Sequence, residues 1–162
     1  MRGSGVVLRT VLVFLGAVAL SPALGRAEDK VLEFDTMAAV VRPFTGAQNP
    51  IRGVNGGGVP WQIARGEGEL RADGRLKVEV RGLVIVSTGV NPVATFRATV
   101  SCMSVGESGQ AVTVNRTTDP FPATAQGDAN IEATVDLPTP CFAPIVFVVN
   151  GGTGAWFAVT GR

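Results

Sequence analysis

The 162-residue chain has no histidine and no tyrosine. Without histidine, the commonest general base and the commonest metal ligand are both missing. A Ser–His–Asp triad is therefore excluded, and Gly106-Glu107-Ser108-Gly109 does not have the Gly-x-Ser-x-Gly form of a nucleophile elbow. Cysteine is scarce, with Cys102 and Cys141 the only two. Once paired, they leave no thiolate for catalysis or for a metal. The glycine runs lack the Lys-Ser/Thr that completes a phosphate loop. Charged residues make up 17% of the chain and the formal net charge is +1, so no basic excess is available to neutralise phosphates. Nucleic acid is not an expected partner, and no cofactor or metal is expected.

Long apolar runs are also missing. The longest, residues 11–20, falls short of the ~20 residues that cross a bilayer. It follows Arg2 and Arg9 and precedes the helix-breaking Ser21-Pro22 and the small-residue site Gly25-Arg26-Ala27. This order of basic, apolar and small residues is that of a secretory signal over residues 1–27, cleaved before Glu28. Three of the 14 basic residues leave with the signal, so 11 remain against 13 acidic ones, a net charge of about −2. The remaining 135 or so residues are long enough for one domain with a real core. A secreted or periplasmic location is expected, with no stable membrane span after cleavage. Export and an even cysteine count together predict a Cys102–Cys141 disulfide.

Strict alternation of apolar and polar residues is plentiful. In residues 67–81, Gly68, Leu70 and Ala72 alternate with Glu67, Glu69 and Arg71, and Leu76, Val78 and Val80 alternate with Arg75, Lys77, Glu79 and Arg81. Successive side chains of a strand point to opposite faces, so both arms read as half-buried strands. Asp73-Gly74 marks the turn. A two-residue loop would place Leu70 opposite Lys77 and mismatch the faces. The three-residue loop Ala72-Asp73-Gly74 sets Leu70 opposite Leu76 and Glu69 opposite Lys77, with Gly74 at the position needing φ > 0. It also sets Glu67 opposite Glu79, an unfavourable pair unless Arg65 and Arg81 screen it.

The same pattern recurs along the chain. Residues 31–41 favour a strand, although Met37-Ala38-Ala39 would suit a helix. Residues 42–60, with Pro43, Pro50, Pro60 and Gly56-Gly57-Gly58, cannot be a sheet interior and form a long ordered loop or a flexible crossing. Val59, Trp61 and Ile63 are apolar in odd phase and the following residues in even phase, which predicts a bulge near residues 64–66. Residues 83–86 are apolar on both faces, the pattern of a strand covered on both sides. Residues 94–102, 111–115 and 129–137 are further strands. Residues 145–149 are apolar throughout, as in a central strand, and residues 155–160 end the chain. Seven or eight short antiparallel strands without a helix predict an all-β sandwich over residues 28–162, with a small closed or partly open barrel as the alternative.

Two candidate sites emerge. Asn55-Gly56-Gly57-Gly58-Val59-Pro60-Trp61 and Asn150-Gly151-Gly152-Thr153-Gly154-Ala155-Trp156 share Asn-Gly-Gly-x-x-x-Trp and carry the only two tryptophans. They could be a pair of aromatic platforms with amide side chains, suited to stacking on a sugar. Alternatively they are two tight turns, each feeding a strand whose first large residue fills the core. Glu67 and Glu79, with Glu69, could form a glycosidase carboxylate pair or belong to a solvated mixed-charge face with Arg65, Lys77 and Arg81. Asn115-Arg116-Thr117 matches an N-glycosylation acceptor, relevant only to a eukaryotic secretory route.

The segment Arg52-Gly53-Val54-Asn55-Gly56-Gly57-Gly58-Val59-Pro60-Trp61 resembles a group of small secreted bacterial proteins of unassigned function. So do Phe96-Arg97-Ala98, Phe121-Pro122-Ala123-Thr124 and Pro140-Cys141-Phe142-Ala143-Pro144-Ile145-Val146-Phe147. The resemblance implies bacterial export. Residues 66–83 are also similar to chordin-type repeat domains, but without their histidine-containing motif. The expected role is non-enzymatic, in binding or in the cell envelope, with a polysaccharide or envelope component as partner. A carbohydrate-binding module using Trp61 and Trp156 is the first alternative, and a glycoside hydrolase using Glu67 and Glu79 is the second.

Overall fold

The computed structural model describes residues 29–160, which form twelve β-strands and no helix. The leader expected over residues 1–27 and its cleavage point lie outside the described residues. In chain order the strands are β1 (Lys30–Phe34), β2 (Met37–Ala39), β3 (Trp61–Gln62), β4 (Arg65–Arg71), β5 (Arg75–Arg81), β6 (Val84–Ile85), β7 (Thr95–Val105), β8 (Ala111–Thr117), β9 (Phe121–Pro122), β10 (Ala129–Thr134), β11 (Phe142–Asn150) and β12 (Trp156–Thr160).

The hairpin β4–β5 is the centre of a four-stranded sheet ordered β1-β4-β5-β10. Its register sets Leu70 opposite Leu76, Glu69 opposite Lys77 and Glu67 opposite Glu79, as the parity of the faces requires. The turn closes with Gly74 N donating to Arg71 O at 2.9 Å, and Gly74 has φ +85°. Arg65 bonds Glu67 and Arg81 bonds Glu79 at 2.7 Å, which screens the opposed carboxylates. The second sheet is ordered β2-β12-β11-β7-β8, with β9 against the start of β7, and β3 and β6 form a separate ribbon. All strand pairs are antiparallel. The larger sheets end at open edges, β1 and β10 in one and β2 and β8 in the other. The architecture is a sandwich, not a barrel.

The strand count exceeds the seven or eight expected because several stretches are divided. Residues 31–41 form β1 in one sheet and β2 in the other, with the crossing at Asp35 and Thr36. The phase change after Trp61 is no bulge within a strand. The chain leaves the ribbon at Gln62 and enters the four-stranded sheet at Arg65, so it resets its phase by changing sheets. Residues 83–86 are covered on both sides only at Leu83 and Val84, and Val86 is exposed at the end of the ribbon.

One apolar cluster fills the space between the sheets, including Leu70, Val78, Val80 and Ile131 from one side and Phe96, Ala98, Val100 and Val148 from the other. Gly66 and Gly68 occupy inward positions of β4 because Met37 and Phe34 fill the space that larger side chains would need. Cys102 of β7 and Cys141, just before β11, form a disulfide with Cα atoms 5.0 Å apart.

A third layer lies outside the second sheet. Val146, Phe147, Val148 and Val149 of the central strand β11 are all buried. Val146 and Val148 pair with Val100 and Ala98 on the inward face, and Phe147 and Val149 pair with Thr99 and Arg97 on the outward face. Residues 42–60 form an ordered cover over this outward face. Arg52 Nη1 donates to Ser101 O and Ala143 O at 2.9 and 2.8 Å, and Asn115 Nδ2 donates to Arg52 O at 3.1 Å. This cover buries Thr99 and Ser101, which the alternation alone would leave in solvent.

Candidate functional site

The two Asn-Gly-Gly loops meet. Trp156 N donates to Asn55 O at 2.9 Å and Gly57 N to Trp156 O at 2.8 Å, so residues 55–57 run beside the start of β12 in a parallel bridge. Glycines in both loops pack against neighbouring segments that leave no room for a side chain. A Cβ on Gly56 would strike the Phe44 carbonyl, and one on Gly151 would strike the Thr95 hydroxyl.

The tryptophans do not form a surface platform. Trp61 is 3% exposed and Trp156 2% exposed. Trp61 stacks on Phe157 at 3.8 Å between the sheets, and Phe157 meets Phe96 edge-on. Trp156 lies on the opposite side of the second sheet, beside Phe147 at 6.0 Å. Two copies of one short motif thus send their indoles to opposite faces of one sheet. Large apolar area removed from water outweighs any gain from leaving either ring exposed. Asn150 is also committed internally, since its Oδ1 accepts from Gly152 N at 2.7 Å and Thr153 N at 3.0 Å. It holds the turn in shape and does not offer its carbonyl to a ligand.

Of the four residues the loops suggested, Asn55 alone presents an exposed side chain. It borders a cleft of about 460 Å³ between the loops. Residues 53–55 form one wall and residues 153–155 the other, with Thr99, Thr117 and Asn115 between them. Thr99 and Thr117 face each other across β7 and β8, and their hydroxyls share a 2.8 Å hydrogen bond. Asn115 ties the floor to the first wall through Arg52 O. The lining carries amides, hydroxyls and backbone groups but no ionisable side chain. Alternation along β7 already marked Thr99 as outward-facing, and Asn115 and Thr117 stood out as an acceptor motif. Their meeting with Asn55 and Thr153 depends on the path of residues 42–60, which no local pattern encodes.

The carboxylate candidates lie elsewhere, on the outer face of the four-stranded sheet. Glu67 and Glu79 share a hollow of about 610 Å³ with Glu33, Asp35, Glu69 and Lys77. The hollow is larger than the cleft, but its walls are laced by ion pairs. Glu67 binds Arg65, Glu79 binds Arg81, Glu69 binds Arg71 at 2.8 Å and Lys30 at 3.3 Å, and Lys77 binds Glu132 at 3.1 Å. Hydrogen bonds to Glu33 and Glu69 raise the Lys30 pKa above its ordinary value, and the bond to Glu132 raises that of Lys77. A glycosidase acid is usually made by burial, whereas Glu67 and Glu79 are part-exposed and each bonded to an arginine. Among the described residues, no group of three or more Cys, Asp or Glu side chains is arranged to hold a metal ion. Nor is any helix there long and apolar enough to cross a membrane.

No protein-family model matches the chain, and no curated protein or solved structure matches it significantly.

Proposed function

We propose that this is an exported, non-enzymatic binding domain that holds a segment of polysaccharide in the cleft between its two Asn-Gly-Gly loops. The observation that carries the reading is the convergence of both loops on a single recess lined by amides and hydroxyls. Amides and hydroxyls can exchange their hydrogen bonds to water for bonds to sugar hydroxyls, because each can both donate and accept. The buried tryptophans then serve as supports. Trp156 anchors the second wall from beneath, and Trp61 fixes the end of the first loop in the core. A non-enzymatic role is supported by carboxylates that are paired with cations on the opposite side of the sandwich. Export is supported by the Cys102–Cys141 disulfide, which oxidising compartments preserve.

The test is titration of the protein against a polysaccharide panel, with Asn55→Ala and Thr153→Ala as cleft variants and Glu67→Gln as a control on the far sheet. Binding that weakens in both cleft variants and persists in the control is the expected result. A wild-type protein that binds no member of the panel, or binding lost in Glu67→Gln alone, would overturn the reading.

A further inference from the structure

Arg97 lies beside the cleft and lacks a partner. It sits on the outward face of β7 between Thr95 and Thr99. Thr95 meets the second loop, since Gly151 N donates to Thr95 O at 3.0 Å, and Thr99 belongs to the cleft. Arg97 is therefore bracketed by the loop on one side and the recess on the other. Its side chain is half-buried and its Nε is shielded from solvent without a hydrogen bond. The other half-buried cations of the described residues are bonded: Arg52 to two carbonyls, Arg71 to Glu69, and Arg81 to Glu79 and Asn130. Among the described residues Arg97 is the one partly buried cation whose side chain makes neither an ion pair nor a hydrogen bond.

Unpartnered polar atoms gather on this face. Among the described residues, the buried side-chain polar atoms without a partner are Arg97 Nε, Ser101 Oγ and Trp156 Nε1. All three belong to the outward face of the second sheet, since Arg97 and Trp156 both pair with Val149 and Ser101 lies in phase with Arg97 on β7. One carboxylate is near, Asp119, which follows β8 opposite Arg97 but makes no ion pair with it. Glu33, Glu67, Glu69, Glu79 and Glu132 all face outward from the other sheet, and the cleft lining contains none. With Nε shielded and unpaired and its terminal nitrogens still open, the guanidinium can accept a partner, and the group that matches its planar fork is a bidentate anion.

We propose that the saccharide held in the cleft is acidic, and that Arg97 is the specificity residue that pairs with its anionic substituent. This rests on the polysaccharide reading above and narrows it to a ligand class. A carboxylate and a sulfate ester share the required chemistry, so both are tested. Binding of polygalacturonate is compared with that of its methyl ester, and dextran sulfate with dextran, at low and high ionic strength, for wild type, Arg97→Gln and Arg97→Lys. Thermal melts check that each variant folds.

The expected result is that at least one acidic polymer binds about tenfold or more tighter than its neutral counterpart, because the charge-assisted bond forms only with the acid. Arg97→Gln removes that preference and its salt dependence, while Arg97→Lys keeps part of both. The preferred pair tells carboxylate from sulfate. If neutral and acidic polymers bind equally, or if Arg97→Gln keeps the preference, the inference fails and the polysaccharide reading survives. If wild type binds none of the four, both fail. If Arg97→Gln does not fold, the outcome rests on Arg97→Lys and the wild-type preference, and the loss of either refutes the inference.

Discussion

Replacing Gly74 by alanine tests the hairpin at the point where local and tertiary requirements coincide. Gly74 closes the turn with φ +85°. A Cβ there costs about 1–2 kcal/mol, of which the stiffer unfolded chain returns about 0.4–1 kcal/mol. The turn alone therefore predicts a net loss of about 1 kcal/mol. The fold adds a second term. The new Cβ would fall on the carbonyl oxygen of Val135, and that backbone atom has no freedom to swing aside. Relief requires the turn to move away from Val135, whose N donates to Gly74 O at 3.0 Å. Val135 is 6% exposed, so breaking this bond strands a buried group, at a further cost of about 1–3 kcal/mol. The total is about 2–4 kcal/mol. Gly109 supplies the control, with φ +80° but nothing within 4 Å of its added Cβ. Gly109→Ala should lose only the backbone share, about 1 kcal/mol. Urea denaturation of both variants, read at constant m-value, separates the two terms. Equal losses in the two variants would refute the steric argument, and a Gly74→Ala protein as stable as wild type would refute the turn geometry as well.

Three further outcomes follow from the same structure. Trp61→Ala and Trp156→Ala should each lose about 3–5 kcal/mol of stability, since both rings are core residues; thermal melts near the wild-type value would contradict their burial. Substituting both Cys102 and Cys141 by alanine should lower stability by about 4 kcal/mol through the freed loop of 39 residues, measured by denaturation with and without reductant; variant and oxidised wild type of equal stability would count against it. Asp73 has a pKa below its ordinary value, because its carboxylate accepts from Arg75 N at 3.1 Å and then from the Arg75 side chain at 2.7 Å. A depressed folded-state pKa gives stability that is present above the unfolded value of about 3.9 and lost as pH falls through the folded one. The gap between wild type and Asp73→Asn should therefore narrow below about pH 4 in acid titrations followed by circular dichroism, and a gap independent of pH would refute the assignment.

The sequence by itself determined the local geometry of this protein. Alternation along β4, β5, β7 and β10 identifies inward residues because a strand's faces repeat every two positions. Parity then leaves a single register for the hairpin, down to the opposition of Glu67 and Glu79 and the arginines that screen it. The continuous apolar run 145–149 already marks β11 as a strand with both faces covered. The Cys102–Cys141 disulfide matches the pairing that an even cysteine count and the expectation of export predicted.

Only the tertiary structure decided what lies over what. The motif shared by the two loops encodes two similar turns, yet it carries no information on which face each indole enters. That depends on the sheet edge reached by residues 55–57 and on the register shift between Val148 and Val149. Thr99 and Ser101 follow the outward phase of β7 and would be solvated on a bare sheet; they are buried because residues 42–60 lie across them, held by contacts such as Arg52 to Ala143, 91 positions apart. Contacts of that range leave no periodic trace, since they depend on where a turn-rich segment comes to rest and not on the spacing of its residues. The cleft, and Arg97 beside it, exist only once that segment has docked.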